Sequence, residues 1–324
     1  MNSSFSSNQK IIDERYILQE ELGSGLTSKV FKVLDVQTGE TKAAKIFENN
    51  MSKAFEKEKR VIKLINELDI PTNIKCYQID VGYLTHNGES EQKMYEILEY
   101  ASHGSLFDKI ESTKEGFSED VCKYLLFQII NVFDAIHKKG ICHRDFKPEN
   151  ILIVGDNYEL KLCDYGSLTK FTNEKNEKKK LIKSFGTKYY CAPEILESKK
   201  YDGEKVDIFS IGATLFILLT RKFAFEEAVV HNLSMKISKI LYKLIKTKQH
   251  DKYWYLIEKY CKIQKLSPEF KNLFVKMVAY NPDERPTIDE IRKSEFLKDI
   301  TNANEEYLNL LQNKMIEEMN AQKI

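Results

Sequence analysis

"CHRDFKPEN", residues 142–150, sets Asp145, Lys147 and Asn150 just ahead of the apolar run Ile151-Leu152-Ile153-Val154. Three polar groups against a buried strand are a poor choice for folding alone, because a buried polar group costs free energy unless it is paired. The stretch therefore reads as chemistry rather than packing. Its five fixed residues (His143, Arg144, Asp145, Lys147, Asn150) would recur by chance in about one chain in ten thousand of this length. The bland alternative is a loop of merely solvated groups, and further motifs that follow in order weigh against it.

Working outward, the N-terminal side is strand-like from Tyr16 to about Phe47, with turn signals at "GSG" and "QTGE". A helix is expected over 51–67. Strands at 74–84 and 93–99 follow, joined by the polar loop "THNGESEQ", 85–92. From "ASHGSLFDKI", 101–110, the texture turns helical, with 118–139, 205–220, 231–246 and 287–294 the clearest helices. Residues 172–183, "TNEKNEKKKLIK", read as a flexible charged loop. Residues 1–12 read as a mobile polar tail. A small β-rich part and a larger helical part predict two lobes with a ligand cleft between them.

The bulk numbers exclude several classes. Fifty Lys and Arg stand against 49 Asp and Glu, so no global pull toward nucleic acid or membrane is expected. None of the six cysteines forms a C-x-x-C pair, which argues against a zinc site. No secretory signal is legible at the start, so the thiols are expected to be reduced, in a cytosolic or nuclear protein. The longest apolar run, "IFSIGATLFILL" at 208–219, is too short to span a bilayer and predicts a buried helix.

"HRDFKPEN" resembles the catalytic loop of eukaryotic protein kinases. The resemblance runs over about 16–297. It implies an α+β, bilobal fold: a small antiparallel-sheet lobe with one main helix, and a larger, mainly helical lobe. The expected divisions are a tail at 1–15, the small lobe at 16–98, the large lobe at 99–300 and a helical tail at 301–324. It also implies ATP as donor and Mg2+ as cofactor. Asp145 would orient the attacking hydroxyl, Lys147 would neutralise the transferring phosphate, and Asn150 would offer an oxygen to the metal. Arg144 would face the activation loop. "CDYG", 163–166, resembles D-F-G with Tyr165 for Phe, and Asp164 would bind the metal.

"LGSGLTSKVF", 22–31, resembles the glycine-rich loop, with Ser28 in place of its third glycine. A serine there also occurs in calmodulin-regulated kinases, the branch the chain loosely resembles. Leu22, Gly23, Ser24, Gly25, Ser28 and Val30 would cover the nucleotide, backbone N–H groups approaching its phosphates. The tip, Leu26-Thr27, lacks the common aromatic. "KAAKIF", 42–47, resembles V-A-I-K, and strand alternation puts Ala43, Lys45 and Phe47 on one face. Along 51–67, Met51, Phe55, Ile62 and Ile65 make an apolar stripe that Glu58 completes, so Glu58 points at the core and Glu56 away. A core-facing carboxylate needs a cation, and Lys45 is the natural partner. The pair would position Lys45 on the α- and β-phosphates. Leu98 stands at the gatekeeper position, and Glu99, Tyr100 and Ala101 form the hinge whose backbone would bind adenine. Ala43 and Leu152 would also contact the nucleotide.

"GTKYYCAPE", 186–194, closes the activation segment, and Thr187 with Lys147 resembles the arrangement of kinases selective for Ser and Thr. Glu194 should pair with Arg285, and Asp207 of "VDIFSIG" should hold the catalytic-loop backbone. These two are structural. Arg144 implies phosphorylation of the loop by an upstream kinase, at Ser184, Thr172 or Thr169, with Ser184 favoured as closest to "FGT". The lysines at 175, 178, 179, 180 and 183 read as a solvated loop. The sharper reading is attraction of acidic substrates: Ser105 and Ile217 stand where basophilic kinases carry acids, and only Glu149 keeps one. Leu308, Leu311, Met315 and Met319 share a helical face, read as docking on the large lobe, with a regulatory helix as the alternative. The implied function is transfer of the ATP γ-phosphate to Ser and Thr of protein substrates by a monomer. A pseudokinase scaffold is the runner-up. A small-molecule or lipid kinase is disfavoured by the "GT…APE" segment.

Overall fold

The computed structural model describes residues 8–25, 27–67, 72–175, 177–182, 185–225, 237–261 and 265–321. The chain divides into two compact units after His103. The first holds β1 (Ile11–Ile12), β2 (Tyr16–Ser24), β3 (Ser28–Asp35) and β4 (Thr41–Phe47). Helix α1 (Ser52–Glu67), β5 (Cys76–His86) and β6 (Glu89–Leu98) complete it. The strands pair antiparallel in the order β1-β2-β3-β4-β6-β5, and β1 also pairs with β5, closing a barrel. Strand alternation decides what fills it. Tyr16, Val33, Ala44, Ile46, Tyr95 and Ile97 form its core with Ile12. Lys45 and Phe47 therefore face the other side of β4. There Phe55 of α1 meets Phe47 edge-on at 5.3 Å between ring centroids.

Two expectations fail here. Residues 85–92 are not a loop: β5 and β6 pair through Thr85↔Ser90 and His86↔Glu89, leaving only Asn87-Gly88 as the turn. Both turn residues have positive φ (53° and 80°), which Asn-Gly accommodates at little cost. The flanking residues are polar because the ribbon end is solvated on both faces, so no alternation marks it. Ile11 and Ile12 do not belong to a mobile tail. They are buried at 5% and 0% exposure as β1. Asp13 fixes this segment, accepting from the Tyr83 N–H and the Tyr95 hydroxyl, both at 2.7 Å.

Asp35 is fully buried between two cations, accepting from Arg15 at 2.9 Å and Lys42 at 2.7 Å. The Arg15 guanidinium, with Lys42, holds its carboxyl far below the usual carboxylate range against the opposing effect of burial. Because the folded pKa is depressed, this group's stabilisation is complete at neutral pH. It is lost as pH falls below the ordinary carboxylate value of about 4 and through the folded value. Asp35→Asn is expected to lower the unfolding midpoint at pH 7 and to flatten its decline in acid. Thermal melts from about pH 7 to about pH 2 check this; parallel curves for both proteins would refute it.

The second unit opens with α2 (Leu106–Ser112), α3 (Glu119–Lys138), β7 (Ile141–Cys142), β8 (Ile151–Val154), β9 (Glu159–Leu162) and β10 (Thr169–Lys170). It continues with α4 (Pro193–Leu196), α5 (Gly203–Thr220), α6 (Ile237–Lys246) and α7 (His250–Cys261). Next come α8 (Pro268–Met277), α9 (Ile288–Arg292), α10 (Lys298–Thr301) and α11 (Glu305–Asn320). Of the expected helix 231–246, residues 231–236 lie outside the described residues. Asp202 caps α5 by accepting from the Glu204 and Lys205 N–H groups. From Val206 to Thr220 every residue of α5 is buried, so the apolar run is a central core helix. Among the described residues no helix is long and apolar enough to cross a membrane.

Helix α11 docks on this unit as its spacing predicts. Leu311, Met315 and Met319 are buried, and the Ser118 N–H and hydroxyl donate to Glu318 at 2.9 and 2.6 Å. The lysine-rich stretch is more tied down than expected. Asn173 closes a turn by accepting from the Lys175 and Glu177 N–H groups. Lys178 pairs with Glu204, and Lys180 with Asp202. Two of its charges are thus partly neutralised from the start of α5.

Candidate functional site

Asp207, fully buried near the start of α5, organises the 142–150 loop. Its carboxylate accepts from the His143 N–H at 2.9 Å and the Arg144 N–H at 2.7 Å, and the His137 ring lies at 2.8 Å. Arg144 takes a positive φ of 71° there. Its guanidinium donates to the Ser167 carbonyl at 2.9 and 2.6 Å and lies over the Phe185 ring at 4.7 Å. As expected, it faces the segment after Asp164. Of the phosphate-acceptor candidates, Thr169 is paired in β10 and Thr172 packs against Gly140. Ser184 lies outside the described residues, as does Lys183.

The loop then presents Asp145, Lys147 and Asn150 in sequence. Lys147 Nζ is 3.8 Å from the Asp145 carboxylate and donates to Thr187 Oγ1 at 3.0 Å. The Thr187 N–H donates to Asp145 Oδ1 at 2.7 Å. One threonine thus contacts both, through backbone and side chain. Gly186 makes the approach possible: at φ 115°, a Cβ would sit 2.8 Å from the Arg144 carbonyl and 2.7 Å from Cys191 Sγ. The expected anchor for this segment is present. Glu194 and Arg285 form a two-point buried ion pair at 2.6 and 2.7 Å. Glu149 lies 3.5 Å from the Tyr190 hydroxyl, and Ile217 is buried in α5.

Asn150 donates its Nδ2 to the Asp145 carbonyl at 2.7 Å, which fixes the amide and assigns Oδ1 as its acceptor end. The Cys163 N–H donates to the Asn150 carbonyl at 3.0 Å, leading the chain into Asp164 at φ 67°. Tyr165 is buried and Cys163 half-buried, with Sγ 4.0 Å from the Glu149 carbonyl. One carboxylate and one amide oxygen are hard donors that suit Mg2+. Among the described residues no cluster of three or more His, Cys, Asp or Glu could hold a metal by itself. Leu152 is half-buried in β8, bridged to Ser105, the capping residue of α2.

In the first unit, Lys45 contacts Glu58 as the helical stripe predicts, Glu58 being 4% exposed and Glu56 exposed. Lys45 Nζ also lies 5.0 Å from the Phe47 ring centroid. Ala43 pairs with Leu98 across β4 and β6. Leu22, Gly23, Ser24 and Gly25 are exposed, Val30 half-buried and Ser28 buried. The Gly25 N–H donates to the Ser28 carbonyl at 2.9 Å, so it closes the hairpin instead of standing open to a phosphate. Leu26, at the expected tip, lies outside the described residues. At the hinge, the Glu99 N–H donates to the Lys75 carbonyl at 2.8 Å and is not among the donors available to adenine. Tyr100 and Ala101 are half-buried.

Residues 16–297 match the family model described as the protein kinase domain. The chain belongs to the protein kinase family. Kinases of this family use ATP as donor with Mg2+ as cofactor. Among curated relatives, CBL-interacting protein kinase 26 of Oryza sativa subsp. japonica is 31% identical over 297 residues, 91% of this chain and 54% of that protein. CBL-interacting serine/threonine-protein kinase 10 of Arabidopsis thaliana is 29% identical over 291 residues, 89% of this chain and 54% of that protein. The chain spans about half the length of the curated relatives it matches. Sequence reading missed the part of Asp13 and of the Arg15–Asp35–Lys42 cluster in holding the first unit. It also missed His137 on Asp207. Apart from Lys42–Asp35, seven positions apart, these contacts join residues 20 or more positions apart, and no local spacing signals them.

Proposed function

We propose that the chain is a catalytically active serine/threonine kinase that moves the γ-phosphoryl group of MgATP to hydroxyls of protein substrates. The observation that carries this reading is Thr187, held at once by Asp145 and Lys147. A scaffold without catalysis has no need of an ammonium, a carboxylate and a threonine held in one hydrogen-bonded set. Asp145 accepts a hydrogen bond from the incoming hydroxyl and aims its oxygen. A bond then forms from that oxygen to the γ-phosphorus as the bond to the β-γ bridging oxygen breaks, the hydroxyl proton leaving late toward Asp145. Lys147 offsets charge on the moving phosphoryl oxygens. Lys45, held by Glu58, binds the α- and β-phosphates. Asp164 and the Asn150 amide oxygen would hold Mg2+, which supplies charge neutralisation on the phosphates. We read the cysteines, none of them in a C-x-x-C pair, as suited to a reducing compartment, cytosol or nucleus.

The test is phosphate transfer from γ-labelled ATP to a generic protein substrate, followed by phosphoamino-acid analysis. Label on serine or threonine that depends on Mg2+ is expected. Nucleotide binding without any transfer would favour the scaffold reading.

A further inference from the structure

Lys45 is read above through one carboxylate, Glu58. A second belongs to the residue opposite Lys45 in the sheet register. Lys45 and Glu96 are direct partners in the β4–β6 register, so both side chains leave the same face of the sheet, the face opposite the barrel core. Directly opposed residues in an antiparallel pair have Cβ atoms about 5 Å apart, well within reach of a lysine and a glutamate. Glu96 is fully buried. Cys76, two strands from β4, lies on this face as the partner of Leu98. Its thiol is pushed up to about 12, first by burial, then by the charges of Glu96 and Glu58, with Lys45 opposing. The ionisable groups meeting here are thus Lys45 on β4, Glu58 on α1, Cys76 on β5 and Glu96 on β6.

We propose that Glu96 is a positioning residue, a second buried counter-ion that shares the Lys45 ammonium with Glu58. The two carboxylates come from different elements. Glu58 arrives on a helix, whereas Glu96 belongs to the strand paired with that of Lys45 and stays with it whatever α1 does. When Glu58 is withdrawn, Lys45 keeps its proton and its aim. The inference deepens the reading of Lys45 as the phosphate-binding lysine, and rests on it for its functional meaning.

The test needs no turnover, so its outcome and that of the transfer assay are separable. Lys45 in the full chain is acylated with acetic anhydride across a pH series, and its modification is followed by peptide mass spectrometry. In Glu58→Gln the labelling midpoint should stay within about one unit of the ordinary lysine value of about 10.4. In Glu58→Gln/Glu96→Gln the ammonium, mostly buried, loses both of these carboxylates. Labelling at pH 8 should rise at least about tenfold above the single variant, one pKa unit being tenfold in free amine. Glu58→Gln/Glu96→Asp should return it toward the single variant. A double variant no faster than Glu58→Gln would overturn the proposal. So would a midpoint several units low in Glu58→Gln itself, an arm that decides the matter even if the Glu96 variants fail to fold.

Discussion

Asp145→Asn is expected to reduce phosphate transfer by about 10²- to 10⁴-fold, the usual contribution of a positioned acid or base. The substitution preserves shape. The amide oxygen can still accept from the Thr187 N–H that now binds Oδ1 at 2.7 Å. Its Nδ2 then replaces the oxygen that lies 3.8 Å from Lys147 Nζ. An amide nitrogen is a donor: it cannot take the hydrogen bond of an incoming hydroxyl, and it faces an ammonium it does not attract. Nucleotide affinity, which does not depend on that acceptor, should stay within about twofold of the parent. Steady-state transfer rates together with calorimetric nucleotide titration check both parts. Undiminished transfer would mean that Asp145 does not handle the hydroxyl.

Glu194→Ala is expected to be the most destabilising of these changes. Arg285 is fully buried and donates twice to Glu194, to the Ala279 carbonyl at 2.9 Å and to the Lys205 carbonyl at 2.9 Å. It also lies 5.0 Å from the Phe209 ring centroid. Removing the carboxylate strands a guanidinium in the interior, at a cost of about 3–5 kcal/mol. For a domain of this size that corresponds to a fall on the order of 10 °C in melting temperature. Transfer should fall as well, because Glu194 ends the segment that delivers Thr187 to Asp145. Glu194→Leu/Arg285→Met should recover much of the stability, since no charge is then left buried. Calorimetric melting of the three proteins decides it; a Glu194→Ala midpoint within about 2 °C of the parent would refute the anchoring role.

What could be read from the sequence is what chemistry or periodicity writes locally. Asp145, Lys147 and Asn150 stand within six residues because one loop must present them, and Glu58 fell on an apolar stripe whose step is that of a helix. The Glu194–Arg285 and Asp207 contacts were legible only through the family pattern. Glu96 was not legible: "KMYEIL" offers no marker separating it from a solvated strand residue, although it is fully buried in the strand between β4 and β5. Ile11 and Ile12 are too few to announce a strand and gain their place from β2 and β5. The 85–92 ribbon hid for the opposite reason, since water covers both its faces. Nor does the sequence show that the Gly25 N–H is taken by the Ser28 carbonyl and the Glu99 N–H by the Lys75 carbonyl, because both are backbone bonds set by strand geometry and not by residue type.

The closure of the first unit bears on how other proteins can engage it. A sheet that ends in an open strand offers a row of backbone donors and acceptors to any extended peptide, and invites strand addition or edge-to-edge aggregation. Here β1 lies between β2 and β5, and among the described residues the ring is complete. A partner approaching this unit finds side chains rather than a backbone template, so recognition there has to be written in residue identity.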